Sequence, residues 1–130
     1  MATISLIAGG SIAAGDVVTL DSSGLAHKAT ALSVKQATAV GIALDTVSAG
    51  GLLRVNGDSV YPYFSGLTPG EDLYVSTTSG QLVNYPAWIS GVVAEGYGYG
   101  YLTRVGRVIT TSGVEVELVP PVFVSASGLS

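Results

Sequence analysis

The sequence predicts an all-β fold, a compact β-barrel or β-sandwich with internally duplicated hairpin units and extended termini. Three observations predict it. Short apolar alternating runs recur with turn residues every 8–12 positions, the spacing of barrels and sandwiches. Eighteen glycines are spread through 130 residues, mostly between those runs. One turn-and-strand phrase also occurs twice. Ala14-Gly15-Asp16-Val17-Val18-Thr19-Leu20, closed by Ser23-Gly24-Leu25, returns as Pro69-Gly70-Glu71-Asp72-Leu73-Tyr74-Val75, closed by Ser79-Gly80-Gln81-Leu82. The two glycine pairs are separated by 55 and 56 residues.

The elements follow in order. Thr3 to Ile7 alternates and reads as a first strand, stopped by Gly9-Gly10-Ser11. Asp16 to Leu20 is a β-branched run, and Asp21-Ser22-Ser23-Gly24 carries hairpin-turn residues, so Leu25 to Ala29 returns antiparallel. Thr30 to Thr38 reads as a loop with one helical turn, since short isolated helices are marginal. Ala39 to Leu44 is a buried strand, Leu52 to Asn56 another, and Val60 to Phe64 a third beyond the Gly57-Asp58 turn. Ser65 to Gly70 is a long turn with type II chemistry at Pro69-Gly70.

Leu73 to Ser76 and Gln81 to Asn84 then form the second hairpin, and Tyr85 to Trp88 crosses over. Strands are expected at Ile89 to Glu95, Tyr97 to Arg104 and Val105 to Thr110. Val114 to Val119 alternates most cleanly, with Glu115 and Glu117 outward, until Pro120-Pro121 stops it. Val122 to Val124 adds a last edge strand. The repeat also aligns Gly41-Ile42-Ala43 with Gly91-Val92-Val93, and Leu53-Arg54-Val55 with Thr103-Arg104-Val105, both 50 residues apart. A single domain spans 1–130: an N-terminal arm or strand (1–10), a first half (11–65), a second half (66–119) and a C-terminal arm (120–130).

Charged residues make up 11% of the chain, against about 25% in an ordinary domain. Apolar residues make up 48%. So few charges leave apolar surface exposed, and such patches mark interfaces. We therefore expect a homo-oligomer or a larger assembly. A net charge of −4, with five scattered Lys and Arg, argues against nucleic acid as a partner. No run approaches the roughly 18 apolar residues of a membrane helix, and no secretory signal is visible. Synthesis in a cytoplasm, with no membrane association, is the expectation.

No reaction chemistry assembles in the sequence. His27 is the one histidine, and its Asp21 and Ser22–Ser23 neighbours read as turn residues. The carboxylates lack calcium-loop spacing. No enzyme activity, metal or cofactor is expected. The candidate interface residues are aromatic. In an extended Gly96-Tyr97-Gly98-Tyr99-Gly100-Tyr101, Tyr97, Tyr99 and Tyr101 share one face and the glycines the other. That ladder suits a core stripe or a protein interface, with glycan stacking behind both. Tyr61, Tyr63 and Phe64 form a second cluster, and Trp88 is an anchor beside Pro86.

Two phrases carry a resemblance. Gly15-Asp16-Val17-Val18-Thr19-Leu20, Ser23-Gly24, Ala39-Val40-Gly41-Ile42-Ala43 and Ala49-Gly50 form the first. Gly66-Leu67-Thr68-Pro69-Gly70, Leu73-Tyr74-Val75-Ser76, Gly80 and Val105-Gly106-Arg107-Val108 form the second. Together they resemble small β-domains of tailed-bacteriophage virion proteins. The first is similar to capsid decoration (cement) proteins and the second to head-fibre and tail-fibre modules. The match covers most of residues 10–119; the Gly-Tyr run and Pro120-Pro121 fall outside the pattern. The resemblance implies a structural protein on the outside of the virion capsid, bound to the major capsid protein, often as a trimer, with termini that add strands to neighbours. A fibre module binding host-surface glycan or receptor is the alternative it implies.

Overall fold

The computed structural model describes residues 3–96 and 99–125. The fold is mostly β, with several antiparallel sheets. The strands of the first half are β1 (Thr3–Ile7), β2 (Val17–Leu20), β3 (Ala26–Lys28), β4 (Ala39–Ala43) and β5 (Leu52–Asn56), with a short helix α1 (Val34–Ala37) between β3 and β4. The second half holds β6 (Val60–Tyr61), β7 (Asp72–Val75), β8 (Leu82–Val83), helix α2 (Tyr85–Glu95), β9 (Tyr99–Leu102), β10 (Arg104–Val108), β11 (Val114–Val116) and β12 (Val122–Ser125).

Two five-stranded sheets run in the orders β1-β5-β4-β2-β3 and β6-β11-β10-β7-β8. These are one topology written twice. In each, a hairpin is followed by a helix, and the returning strand pairs with the hairpin's first strand. The next strand and the half's opening strand complete the sheet. The β9 and β12 strands form a separate two-stranded ribbon. Among the described residues the sheets do not close into a barrel, and the arrangement is compatible with a β-sandwich.

The duplication extends to single hydrogen bonds. The Gly15 N–H donates to Ala43 O and the Ala43 N–H to Asp16 O; Gly70 N–H donates to Val108 O and Val108 N–H to Glu71 O. A register shift follows at the same place in both sheets, between Val18 and Thr19 opposite β4 and between Arg104 and Gly106 opposite β7. Gly41 and Gly106 are therefore equivalent, 65 residues apart, not Gly41 and Gly91. The offset of 50 expected from sequence is corrected: Gly91, Val92 and Val93 lie in α2, and the helix with β9 lengthens the second half. The strand expected over Ile89–Glu95 is likewise this helix. Gly41 is held at φ 149°, and an added methyl there would drive into the Asn56 carbonyl oxygen and to 2.6 Å from Val55 Cγ1. At Gly106 it would meet the Glu115 carbonyl oxygen and Val114 Cγ1. A bulge that brings one backbone onto the next strand tolerates no side chain at that point.

The cores follow the halves. Ala8, Ile12, Val18, Ala26, Ala43, Leu53 and Val55 fill the first. Leu73, Val108 and Val114 fill part of the second. Between the sheets, Val17, Ala29, Ile42, Tyr61, Val75, Val105 and Val116 form a shared layer. Backbone bonds stitch the halves directly, from Val17 N–H to Gly80 O, Gly80 N–H to Ala29 O and Ala31 N–H to Ser76 O. The buried Thr103 hydroxyl donates to Ala37 O at 2.7 Å, across 66 residues. Both terminal segments are folded onto the chain where described: β1 pairs with β5, and β12 with β9.

Gly41→Ala and Gly106→Ala should each cost at least about 2 kcal/mol, from overpacking and, at Gly41, backbone strain. Gly24→Ala, at a φ of 80° but in open space, should cost only about 1 kcal/mol. Urea unfolding of the three variants checks the order.

Candidate functional site

Helix α2 organises the aromatic residues. Asn84 caps it, its side chain accepting from the Ala87 N–H at 3.1 Å, and Pro86 sits in the first turn, where a missing N–H costs nothing. Gly96 ends it in the left-handed region at φ 78°, its N–H donating to Val93 O. These start and stop signals stand in the sequence at their usual spacing and are what the strand reading passed over. The first residue of the Gly-Tyr run is thus a helix cap, and the strand described after it is Tyr99–Leu102.

The helix buries Trp88 and Val92 with Ala31, packed by Tyr74, Val83, Ile89, Leu102 and Val124. Trp88 Nε1 donates to Tyr101 O at 3.2 Å. Tyr85 stacks on the indole with centroids 6.2 Å apart and planes 10° off parallel. Gly100 faces this helix: a methyl there would lie 2.7 Å from Val92 Cγ2 and 3.2 Å from the Trp88 ring. At Gly100 the absent side chain therefore accepts an aromatic ring, and that ring belongs to the same chain.

Tyr99 and Tyr101 alternate to the opposite side, where β12 brings Phe123 into register with Tyr101. The Phe123 centroid lies 5.5 Å from that of Tyr99 and 5.7 Å from that of Tyr101, and Phe123 is 58% exposed. The three rings form a compact outward cluster, of which sequence reasoning found two members. Phe123 was missed because its neighbours come from 22 and 24 residues earlier in the chain, through the ribbon. Tyr97 lies outside the described residues.

The second aromatic cluster splits. Tyr61 is buried at the shared core layer, and burial pushes its hydroxyl pKa up. Tyr63 meets it edge-on at 5.4 Å and is 74% exposed; Phe64 packs on Tyr61 at 4.8 Å. Of the six candidate interface residues, Trp88 and Tyr61 are core residues and cannot form a contact surface without opening the fold. Tyr63, Tyr99 and the half-buried Tyr101 remain at or near the surface. Val93 and Leu52 are strongly exposed as well.

The polar groups form structural links. His27 Nε2 lies 2.8 Å from Asp21 Oδ2, while Asp21 Oδ1 accepts from the Ser23 and Leu25 N–H groups. This ties the β2–β3 turn to its return strand. The Leu25 amide, ahead of the His27 ring, holds the Asp21 carboxyl below its ordinary value. The Arg54 guanidinium does the same for Asp45, through a two-pronged pair with contacts down to 2.7 Å. Arg104 bridges Asp72 and Glu117 at 3.0 Å each. Among the described residues no three His, Asp or Glu side chains gather where a metal ion could sit, and no buried side-chain polar atom lacks a partner. No helix there is long and apolar enough to cross a membrane. No model of a known protein family matches the chain, and no curated protein does.

Trp88→Ala should cost about 3–5 kcal/mol in urea unfolding, whereas Tyr63→Ser should stay within about 1 kcal/mol. The depressed carboxyls add a pH signature. Their stabilisation is fully present above the unfolded value of 3.8 and is lost as pH falls through the lower folded values. A double Asp21→Asn, Asp45→Asn variant should therefore lose less stability than the parent when unfolding is measured from about pH 5 to about pH 2.

Proposed function

We propose that the chain is a virion structural protein that binds the outside of a phage capsid shell and stabilises it, as decoration proteins do. The observation that carries this reading is a low-charge surface studded with large apolar side chains, on a body whose two halves are cross-bonded through the backbone. Leu52, Tyr63, Val93, Val122 and Phe123 all stand more than half exposed. Apolar surface of this kind gains free energy when another protein covers it, at roughly 25 cal/mol per Å². A cement protein needs that, together with a body that does not shear when neighbouring capsomers are pushed apart. The backbone bonds between halves and the shared core layer supply such stiffness.

The proposed partner is the major capsid protein, and the proposed active form is a homo-oligomer. The aromatic cluster of Tyr99, Tyr101 and Phe123 favours a second reading, a fibre module that stacks host-surface sugars on exposed rings. Co-sedimentation of the purified chain with undecorated capsids of its own virus separates the two. Saturable binding at regular lattice positions, seen by imaging the pellet, is the expected result. Folded protein left entirely in the supernatant would sink the cement reading, and binding to a glycan panel would then support the fibre reading.

A further inference from the structure

Among the described residues, the first sheet ends on an edge that no strand covers along Ile4–Ile7. β1 pairs with β5 from Thr3 opposite Asn56 to Ile7 opposite Leu52, and among the described residues no second strand pairs with Ile4–Ile7. The Ala8 N–H donates to Gly51 O. Alternation along an antiparallel ladder then directs Leu6 and Ile4 toward β5 and turns the N–H and C=O of Ser5 and Ile7 outward. The bare edge stops at Gly9, whose N–H reaches Ala26 O on β3.

The core is open along this edge. Ile4 lies opposite Val55, and Leu6 opposite Leu53. Both β5 partners are fully buried, yet Ile4 is 41% exposed. An added strand would cover it. Proteins usually blunt such edges with lysine, proline, a bulge or brevity, and Thr3-Ile4-Ser5-Leu6-Ile7 has none of these. The other sheet provides the comparison within the same chain: the equivalent strand β6 has two residues and follows Asp58. The ribbon's β12 is preceded by Pro120-Pro121.

We propose that β1 pairs antiparallel with β1 of a second copy of this chain, merging two first-half sheets across a two-fold axis. A copy is the occupant the residues suit. A two-fold perpendicular to the sheet keeps the core faces of both copies on one side. Thr3–Ile7 carries no charge, so a strand placed against itself meets no repulsion. Its core-side positions are Ile and Leu, so a register centred on Ile4 sets Ile4 against Ile4 of the second copy and one centred on Ser5 sets it against Leu6, with the faces aligned in both. On the outer face the exposed Ile7 and Leu52 flank the seam. This pairing stands independently of capsid binding and gives an even-numbered oligomer, in contrast to the threefold expectation.

Analytical ultracentrifugation of the full chain over a dilution series tests it. The parent should be a dimer that dissociates on dilution. Ser5→Pro removes one outward N–H per copy and leaves the bonds to β5 intact, so it should weaken the dimer at least roughly thirtyfold. Ser5→Lys brings two ammonium groups into the seam and should also weaken it, less so at high salt. Far-ultraviolet circular dichroism should match the parent for Ser5→Lys, which carries the test alone if the proline variant unfolds. A parent that stays monomeric throughout, or an oligomer that Ser5→Lys leaves equally strong, overturns the proposal.

Discussion

A pair of backbone hydrogen bonds between a turn and the last residue of a returning strand sets the geometry of each half. Gly15 and Asp16 grip both sides of Ala43, and Gly70 and Glu71 grip both sides of Val108. Two pairs into the ladder from each grip the returning strand carries one extra residue, and the register shifts at Val40 and at Val105. Only a glycine can then stand where the strand crosses its other neighbour, which is why Gly41 and Gly106 occupy equivalent places. A bulge increases local twist. In the first sheet the chain leaving β1 touches β3, with Ala8 bridged to Ala26. That near-meeting of the sheet's edges encloses Ile12, Val18 and Leu53.

Much of this was legible in the chain. β1 and β5 lie at their expected residues, and the two hairpins turn at the Ser-Gly phrases, because alternation and positive-φ turn chemistry are local signals. The second half of the repeat was not aligned correctly, for a physical reason. Gly91-Val92-Val93 and Gly41-Ile42-Ala43 are each a glycine followed by two apolar residues, and a short apolar triplet does not distinguish a buried strand from a helical segment. The helix was written instead in its ends, Asn84 with Pro86 and Gly96, and in the four-residue spacing of Trp88 and Val92. Correct alignment comes from Val105-Gly106-Arg107-Val108, whose glycine carries the same steric demand as Gly41. The aromatic surface was half legible: alternation separated Gly100 from Tyr99 and Tyr101, but Phe123 joins them only through ribbon pairing.

The electrostatics are local and spent within the fold. Arg54 is taken by Asp45, Arg104 by Asp72 and Glu117, and Lys28 stands 3.9 Å from Asp16. Arg107 stands 3.7 Å from Asp72. Pairs at or near the surface are weak, so they fix strand neighbours more than they stabilise the whole. What they leave is a surface with few charges and several exposed large apolar side chains. Apolar surface is indifferent to the sign of a partner's charge, and its selectivity rests on fit. A stiff body suits that mode of binding, because less freedom is lost on association.

The two halves share their hairpins, bulges and grip bonds, so their differences show what is particular to each. The first half connects its hairpin to β4 through a four-residue helix, α1. The second places an eleven-residue helix and the strand β9 in the same connection. That insertion supplies Trp88 as a local core, and packing Gly100 against it turns Tyr99 and Tyr101 away from the helix. β12 then lies alongside and adds Phe123. The outward aromatic cluster is therefore a product of the insertion and not of the repeated frame. The bare β1 edge has the opposite origin: it belongs to the frame and is shortened to two residues in the other half. The two surfaces lie on different elements, β12 with β9 and β1, so substitutions at Phe123 and at Ser5 act on separate parts of the molecule.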